Sequence, residues 1–278
     1  LRDMPTVSAE ESQAEIVVRG EDFRLAFDRY RGSISAWESQ GLSLLTAGPR
    51  LNVWRAPTDN DVHVAREWRR AGLDRLMHRV ERVAVAAASS HAAQVEVDSV
   101  LACYSLRPAF TCRYRYTIHG SGDLIIETHV VPAEGLPNLP RLGLEMRLPR
   151  EFDRFTWYGR GPHESYPDRK ESARVGIYSG SVQDQYVPYI MPQENGNKSD
   201  VRWATLTDLR GMGLLVVGMP VISVSAHHYT PEDFTRAQHT FELTPRDETI
   251  LHLDHAHHGL GSNSCGPGPL EQYLLKPV

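Results

Sequence analysis

The side chains of this 278-residue chain that could do chemistry fall into a few dense groups. Four histidines, His252, His255, His257 and His258, lie within seven residues, and His227 and His228 precede them. A strand would place His255 and His257 on one face and His252 and His258 on the other. Two imidazoles at i and i+2 can ligate zinc, but a closed site needs four ligands and a catalytic one three. No cysteine pair or HExxH accompanies these histidines, so hydrogen-bonding or substrate-facing roles are expected, and no metal. Asp59 with Asp61, or Glu164 with Asp168, could be written as an acid and nucleophile pair. Carboxylates this close in turn-like, Pro- and Gly-rich sequence more often cap local backbone N–H groups. Cys265 has histidines nearby, yet nothing around it lowers a thiol pKa, and a small loop residue is the plain reading. Gly159-Arg160-Gly161 and Gly259-Leu260-Gly261 lack the lysine and strand–helix context of a phosphate cradle, so they suit tight turns and close backbone approach.

Three polar clusters are too rich in costly residues to be plain turns: Trp54 to Asp61, Trp157 to Arg169, and Tyr186 to Asn197. In them Trp54, Trp157, Tyr158, Tyr166, Tyr186 and Tyr189 alternate with Arg, Asp, Asn, Glu and Gln, which are expensive to bury unpaired. Aromatic platforms are therefore expected on a concave surface with a few polar groups, the usual form of a ligand site. A fourth group, Asp254 through Gly268, runs from a histidine-rich apolar stretch into a glycine-rich polar loop with much backbone to offer. Aromatic faces, amides, carboxylates and arginines together are what a sugar-binding surface needs.

These groups must be positioned by β-structure. Short apolar runs recur at Ile16-Val17-Val18 and Phe23 to Phe27, and strict alternation over Phe110 to Ile118 puts Phe110, Cys112, Tyr114, Tyr116 and Ile118 on one face. Leu124 to Val131 reads as the neighbouring strand across a Gly120-Ser121-Gly122-Asp123 hairpin. Further strands are expected at 141–148, 202–207, 213–217, 222–226 and 249–255. Two short helices are expected: 64–71, and one capped by Thr230 with Pro231 at its first position. Residues 1–14 read as a linker from a preceding domain and 15–278 as one all-β domain. The net charge of −5 argues against a nucleic-acid backbone binder. No apolar run approaches the roughly 20 residues that span a bilayer. Cys103 and Cys112 could pair only across neighbouring strands, and three cysteines are typical of a reducing compartment. Leu1-Arg2-Asp3-Met4-Pro5 lacks both an initiator methionine and a signal-peptide stretch, so a piece of a longer or processed polypeptide is expected.

In order along the chain, four segments resemble the C-terminal domain (the small chain or fifth domain) of glycoside hydrolase family 2 beta-galactosidases. Arg55-Ala56-Pro57-Thr58-Asp59-Asn60-Asp61 is similar to the family's RAP-x-DND signature, and Tyr158 to Arg169 to its G-x-GP-x-E-x-YPDR stretch. Tyr186-Val187-Pro188-Tyr189 with Pro192 to Gly196 is similar to Y-x-PY…P-x-ENG, and Asp254 to Cys265 to the loop that closes over the sugar. The resemblance implies a large antiparallel supersandwich, galactose mutarotase-like. It also implies a retaining enzyme, acting on terminal β-D-galactosides such as lactose, whose TIM-barrel partner domain holds the catalytic glutamates. Nothing here has the alternating strands and helices of a barrel of roughly 250 residues. The isolated chain is therefore expected to have no catalytic residue and no activity.

Asp59, Asn60, Asp61, His63, Glu194, Asn195, Asn263, Ser264 and Cys265 are the expected substrate-binding residues. Cys265 stands where the family often has a stacking tryptophan, and His63 where some relatives have glycine. No cofactor or metal is expected in this chain; magnesium or sodium used by the full-length enzyme would be bound elsewhere. A cytoplasmic, homo-oligomeric full-length protein is expected, without nucleic-acid or membrane partners. The alternatives are a free-standing aldose 1-epimerase using a histidine and Glu194, and a non-catalytic carbohydrate-binding or assembly module.

Overall fold

The structure, a computed structural model, describes residues 4–104, 106–261 and 268–278. It is built of antiparallel strands, as expected, and divides into two compact units. The first spans 1–49 and 71–136 with residue 278, the second 50–70 and 137–277.

In the first unit, β1 (Ser8–Glu11), β2 (Glu15–Arg19), β3 (Phe23–Asp28), β4 (Ser33–Ser39) and β5 (Leu42–Ser43) form a sheet in sequence order. β1 lies within the stretch read as a linker. It is an edge strand with no buried residue, so no apolar pattern marks it. The chain then passes through β6 (Ala47–Asn52) and helix α1 (Val64–Arg70). It returns to the first unit for β7 (Met77–Ala88), β8 (Ala92–Ala102), β9 (Phe110–His119) and β10 (Leu124–Pro132), a four-stranded sheet in the order β10-β9-β8-β7. The alternation of β9 behaves as expected: Phe110, Cys112, Tyr114, Tyr116 and Ile118 are all buried. The two sheets of this unit meet as a sandwich, with the rings of Phe27 and Tyr116 5.0 Å apart. Cys103 and Cys112 are buried and free, and burial pushes the Cys112 thiol up to about 11.

The second unit is a seven-stranded sheet, β13-β12-β14-β15-β16-β11-β6. Its other strands are β11 (Arg141–Pro149), β12 (Arg154–Gly161), β13 (Arg174–Ser181), β14 (Lys198–Thr207), β15 (Gly213–His227) and β16 (Glu248–His257). The strands expected at 213–217 and 222–226 are one, β15. Helix α2 (Pro231–Arg236) starts as expected. Thr230 Oγ1 accepts from Asp233 N at 3.2 Å, and the Asp233 carboxylate accepts from Thr230 N at 2.9 Å.

Two expectations are corrected here. Residues 154–161 are a strand in which Phe155, Trp157, Gly159 and Gly161 face inward. Trp157 is 1% exposed, stacks on Phe155 at 4.9 Å and lies under the Lys198 ammonium. Trp54 and Tyr166 are buried as well, and Tyr186 stacks on Phe234 of α2. These aromatics are core, not platforms; their polar neighbours occupy the opposite face or are paired. The second correction is to the histidine faces. The pairing of β11 with β16 slips between Leu142 and Gly143, whose partners are Ala256 and Asp254, so His255 is the extra residue of a bulge. The slip reverses the parity. His252, Asp254 and His257 are buried and His255 is exposed. Among the described residues, no helix is long and apolar enough to cross a membrane.

Candidate functional site

The site is assembled in the second unit by segments between strands. After β6 the chain turns through a single 3-10 turn at Asp59–Asp61, where the Asp61 carboxylate accepts from Thr58 N at 2.9 Å. Arg55, fully buried, binds the same carboxylate with two donors: Nη2 to Oδ1 at 2.8 Å and Nε to Oδ2 at 3.2 Å. Its other donors reach the backbone ahead of the glycine-rich loop, at His258 O (2.7 Å) and Gly259 O (2.9 Å). The Trp68 ring lies 5.4 Å from the guanidinium. A planar, five-donor group suits this position because it must serve a carboxylate and two carbonyls at once. Asn60 Nδ2 adds a hydrogen bond to Leu260 O at 3.1 Å. Asp59 and His63 are exposed at the rim, and Asp59 N donates to Gln193 Oε1 at 3.3 Å.

Asp168 grips the same segment from the other side. It sits in a tight turn closed by Tyr166 N to Arg169 O (3.1 Å) and Arg169 N to Tyr166 O (2.9 Å). Its two oxygens accept Leu260 N at 2.9 Å and Gly261 N at 2.7 Å. Sequence reasoning weighed Asp168 only as a catalytic partner of Glu164 and left it out of the site. Glu164 accepts from Gly196 N at 2.8 Å and from Arg169 and Tyr189. Both carboxylates serve backbone N–H groups, as the turn-capping reading holds.

Beneath this rim lies a layer of buried charge. Arg141 binds Asp254 through Nε and Nη2 and approaches Glu194 Oε2 at 3.5 Å. Glu194 also accepts from Tyr166 OH at 3.3 Å and faces His257 Nε2 at 3.6 Å. Burial alone would raise the Glu194 carboxyl. Arg141, followed by His257 and Arg55, outweighs it and holds the group well below the usual carboxylate range. Burial, reinforced by the Arg141 charge, lowers His252, and burial with Arg55 lowers His258 to about 4. Asn195 is buried, with its amide spent on Val187 N (3.0 Å) and Gln193 O (2.9 Å). A cavity lined by Arg141, Glu194, His227 and His252 has room for about one water-sized sphere, too little for a sugar ring. Among the described residues, no group of three His, Cys, Asp or Glu could hold a metal ion.

Of the expected site residues, Asp59, Asn60 and His63 thus lie at the rim, while Asp61, Glu194 and Asn195 are buried and bonded within the protein. Asn263, Ser264 and Cys265 lie outside the described residues. The structure brings together the four motifs singled out in the sequence: RAPTDND, YPDR, the Gln193-Glu194 turn and the root of the glycine-rich segment.

The polar turns of this antiparallel module converge on one loop root, the backbone of His258 to Gly261. Residues 19–278 match the beta-galactosidase small chain family, and the chain belongs to it. It is 34% identical to a beta-galactosidase of Priestia megaterium over 93% of this chain and 25% of that protein. It is 31% identical to one of Actinobacillus pleuropneumoniae, over 97% of this chain and 26% of that protein. The chain thus spans about a quarter of the length of these relatives. Among solved structures, an Aspergillus nidulans amine oxidase shares 12% identity at a TM-score of 0.30, over 86% of this chain and 47% of that one.

Proposed function

We propose that this chain is the C-terminal part of a retaining beta-galactosidase that hydrolyses terminal β-D-galactosides such as lactose. In this reading it supplies sugar-contacting loops to an active site whose acid and nucleophile lie in a TIM-barrel domain of the same polypeptide. The observation that carries the reading is the convergence of Arg55, Asn60 and Asp168 on the backbone of His258 to Gly261. That convergence fixes the root of the segment that continues to Asn263, a proposed substrate contact, and to Ser264 and Cys265, the proposed aglycone contacts. Asp59, Asn60 and His63 form the facing part of the rim. Asp61, Glu194 and Asn195 act one layer further in, by holding the rim in shape. Loops that fix a bound substrate in reactive geometry contribute to rate without bond chemistry of their own. Magnesium or sodium, where the complete enzyme uses them, is bound outside this chain. The complete protein is proposed to be a cytoplasmic homo-oligomer with a mutarotase-like supersandwich in this region.

The test is nitrophenyl-galactoside hydrolysis by this chain alone and by the complete polypeptide. Turnover only by the complete polypeptide is expected. Robust turnover by the chain alone would refute the reading.

A further inference from the structure

The segment from His258 to Gly261 belongs to no helix or strand, yet its backbone is almost fully paired. His258 N donates to Pro140 O at 3.0 Å and Gly259 N to Tyr273 O at 2.9 Å. The carbonyls of His258 and Gly259 accept from Arg55 and that of Leu260 from Asn60. The two remaining N–H groups, of Leu260 and Gly261, both end on Asp168. Irregular backbone this completely satisfied is held in one conformation, because each lost partner leaves a polar group to be resolvated. The Asp168 bonds are charge-assisted and are roughly twice as strong as neutral ones. Two consecutive amides on one carboxylate also fix the local twist, as in an anion nest.

Two further observations point at Asp168. Among the described residues it makes no salt bridge, and both of its oxygens accept from these amides. Gly259 is also shaped around it. A Cβ there would lie 2.7 Å from Asp168 Oδ2 and 2.8 Å from Pro269 Cβ. Any side chain would push the carboxylate off the loop. Gly261, at φ +100°, has the left-handed backbone that lets its N–H turn toward the same group.

We propose that Asp168 is a positioning residue, and that Gly259 exists to admit its carboxylate. Together they hold the backbone of Leu260 and Gly261 in one conformation. Its effect on reaction selectivity rests on the galactosidase reading above; the clamp does not.

The experiment is amide hydrogen exchange on the complete polypeptide carrying D168N or G259A, beside the unmodified protein. Near-UV circular dichroism serves as the control for folding. Exchange at Leu260 and Gly261 is expected to rise about tenfold or more, while β16 amides keep their protection. D168E, which retains the carboxylate, is expected to restore part of it. Unchanged exchange at 260–261 in folded D168N, or an equal loss across β16, would overturn the clamp. In the same variants, the ratio of kcat/KM for lactose to that for nitrophenyl-galactoside is expected to shift severalfold. An unchanged ratio alongside faster exchange would overturn the role in the reaction and leave the clamp standing.

Discussion

Removing Arg55 is the most informative single perturbation. In Arg55→Ala the Asp61 carboxylate, itself 1% exposed, loses both of its guanidinium donors. Breaking a buried pair from one side costs about 3–5 kcal/mol, because the charge left behind is neither solvated nor paired. The carbonyls of His258 and Gly259 lose their donors at about 1 kcal/mol each. A total of about 5–7 kcal/mol is a large share of the roughly 5–15 kcal/mol that an ordinary domain has. Arg55→Lys keeps the charge but has one nitrogen to reach acceptors on opposite sides, so it recovers only part. Removing both partners relieves the stranded charge. A cycle of R55A, D61A and the double variant therefore gives a coupling of about 3 kcal/mol. The assay is denaturant unfolding followed by tryptophan emission. Of the five tryptophans, Trp54, Trp68, Trp157 and Trp203 belong to the second unit and report its transition. A cost below about 1 kcal/mol for R55A, or additive effects in the cycle, would refute the claim that Arg55 and Asp61 form one buried unit.

Acid sensitivity follows from His258. Its folded pKa is lowered from 6.5 to about 4, first by burial and then by Arg55, so between those values the unfolded chain binds a proton that the fold does not. Stability should fall as pH drops through that window, by about 3 kcal/mol, and His258→Gln should flatten the slope of a pH–denaturation series. Glu194, held low by Arg141 against burial, contributes stability above its unfolded pKa of about 4.3 that is lost on further acidification; Glu194→Gln should remove this lowest-pH limb. Tyr166→Phe deletes one neutral donor to Glu194 from a buried site and should cost about 1 kcal/mol in the same unfolding assay. Cys112, buried with a thiol pushed up to about 11, should resist a thiol reagent in the native protein and react on unfolding; rapid native labelling, mapped by peptide mass, would contradict its placement.

Much of the scaffold was legible because period-2 patterning survives wherever one face of a strand is covered. β9 shows this with its five alternating buried residues from Phe110 to Ile118. The strand β12 was hidden because Gly159 and Gly161 occupy inward positions without contributing an apolar signal, leaving Arg154, Tyr158 and Arg160 to read as a polar loop. The bulge at His255 left no mark in composition, since an extra residue changes parity without changing residue type. The motif segments come together in the second unit, on the backbone of residues 258–261. Their roles were less visible. Asp61 and Glu194 look like substrate carboxylates until Arg55 and Arg141 are found beside them, and those arginines stand 6 and 53 residues away in the chain. Asp168 offered one usable signal, an aspartate behind proline in a tight turn, which is an acceptor in search of backbone N–H groups.

The central claim is that the rim around residues 59–63 and 258–261 forms one wall of a galactoside pocket in a longer polypeptide. Hydrogen exchange of the complete polypeptide, with and without a tight-binding galactose-derived inhibitor, tests it directly. The account predicts inhibitor-dependent protection at residues 59–63 and 258–261 and none in the β7 to β10 sheet. Full occupancy by the inhibitor with unchanged exchange at both segments would contradict it.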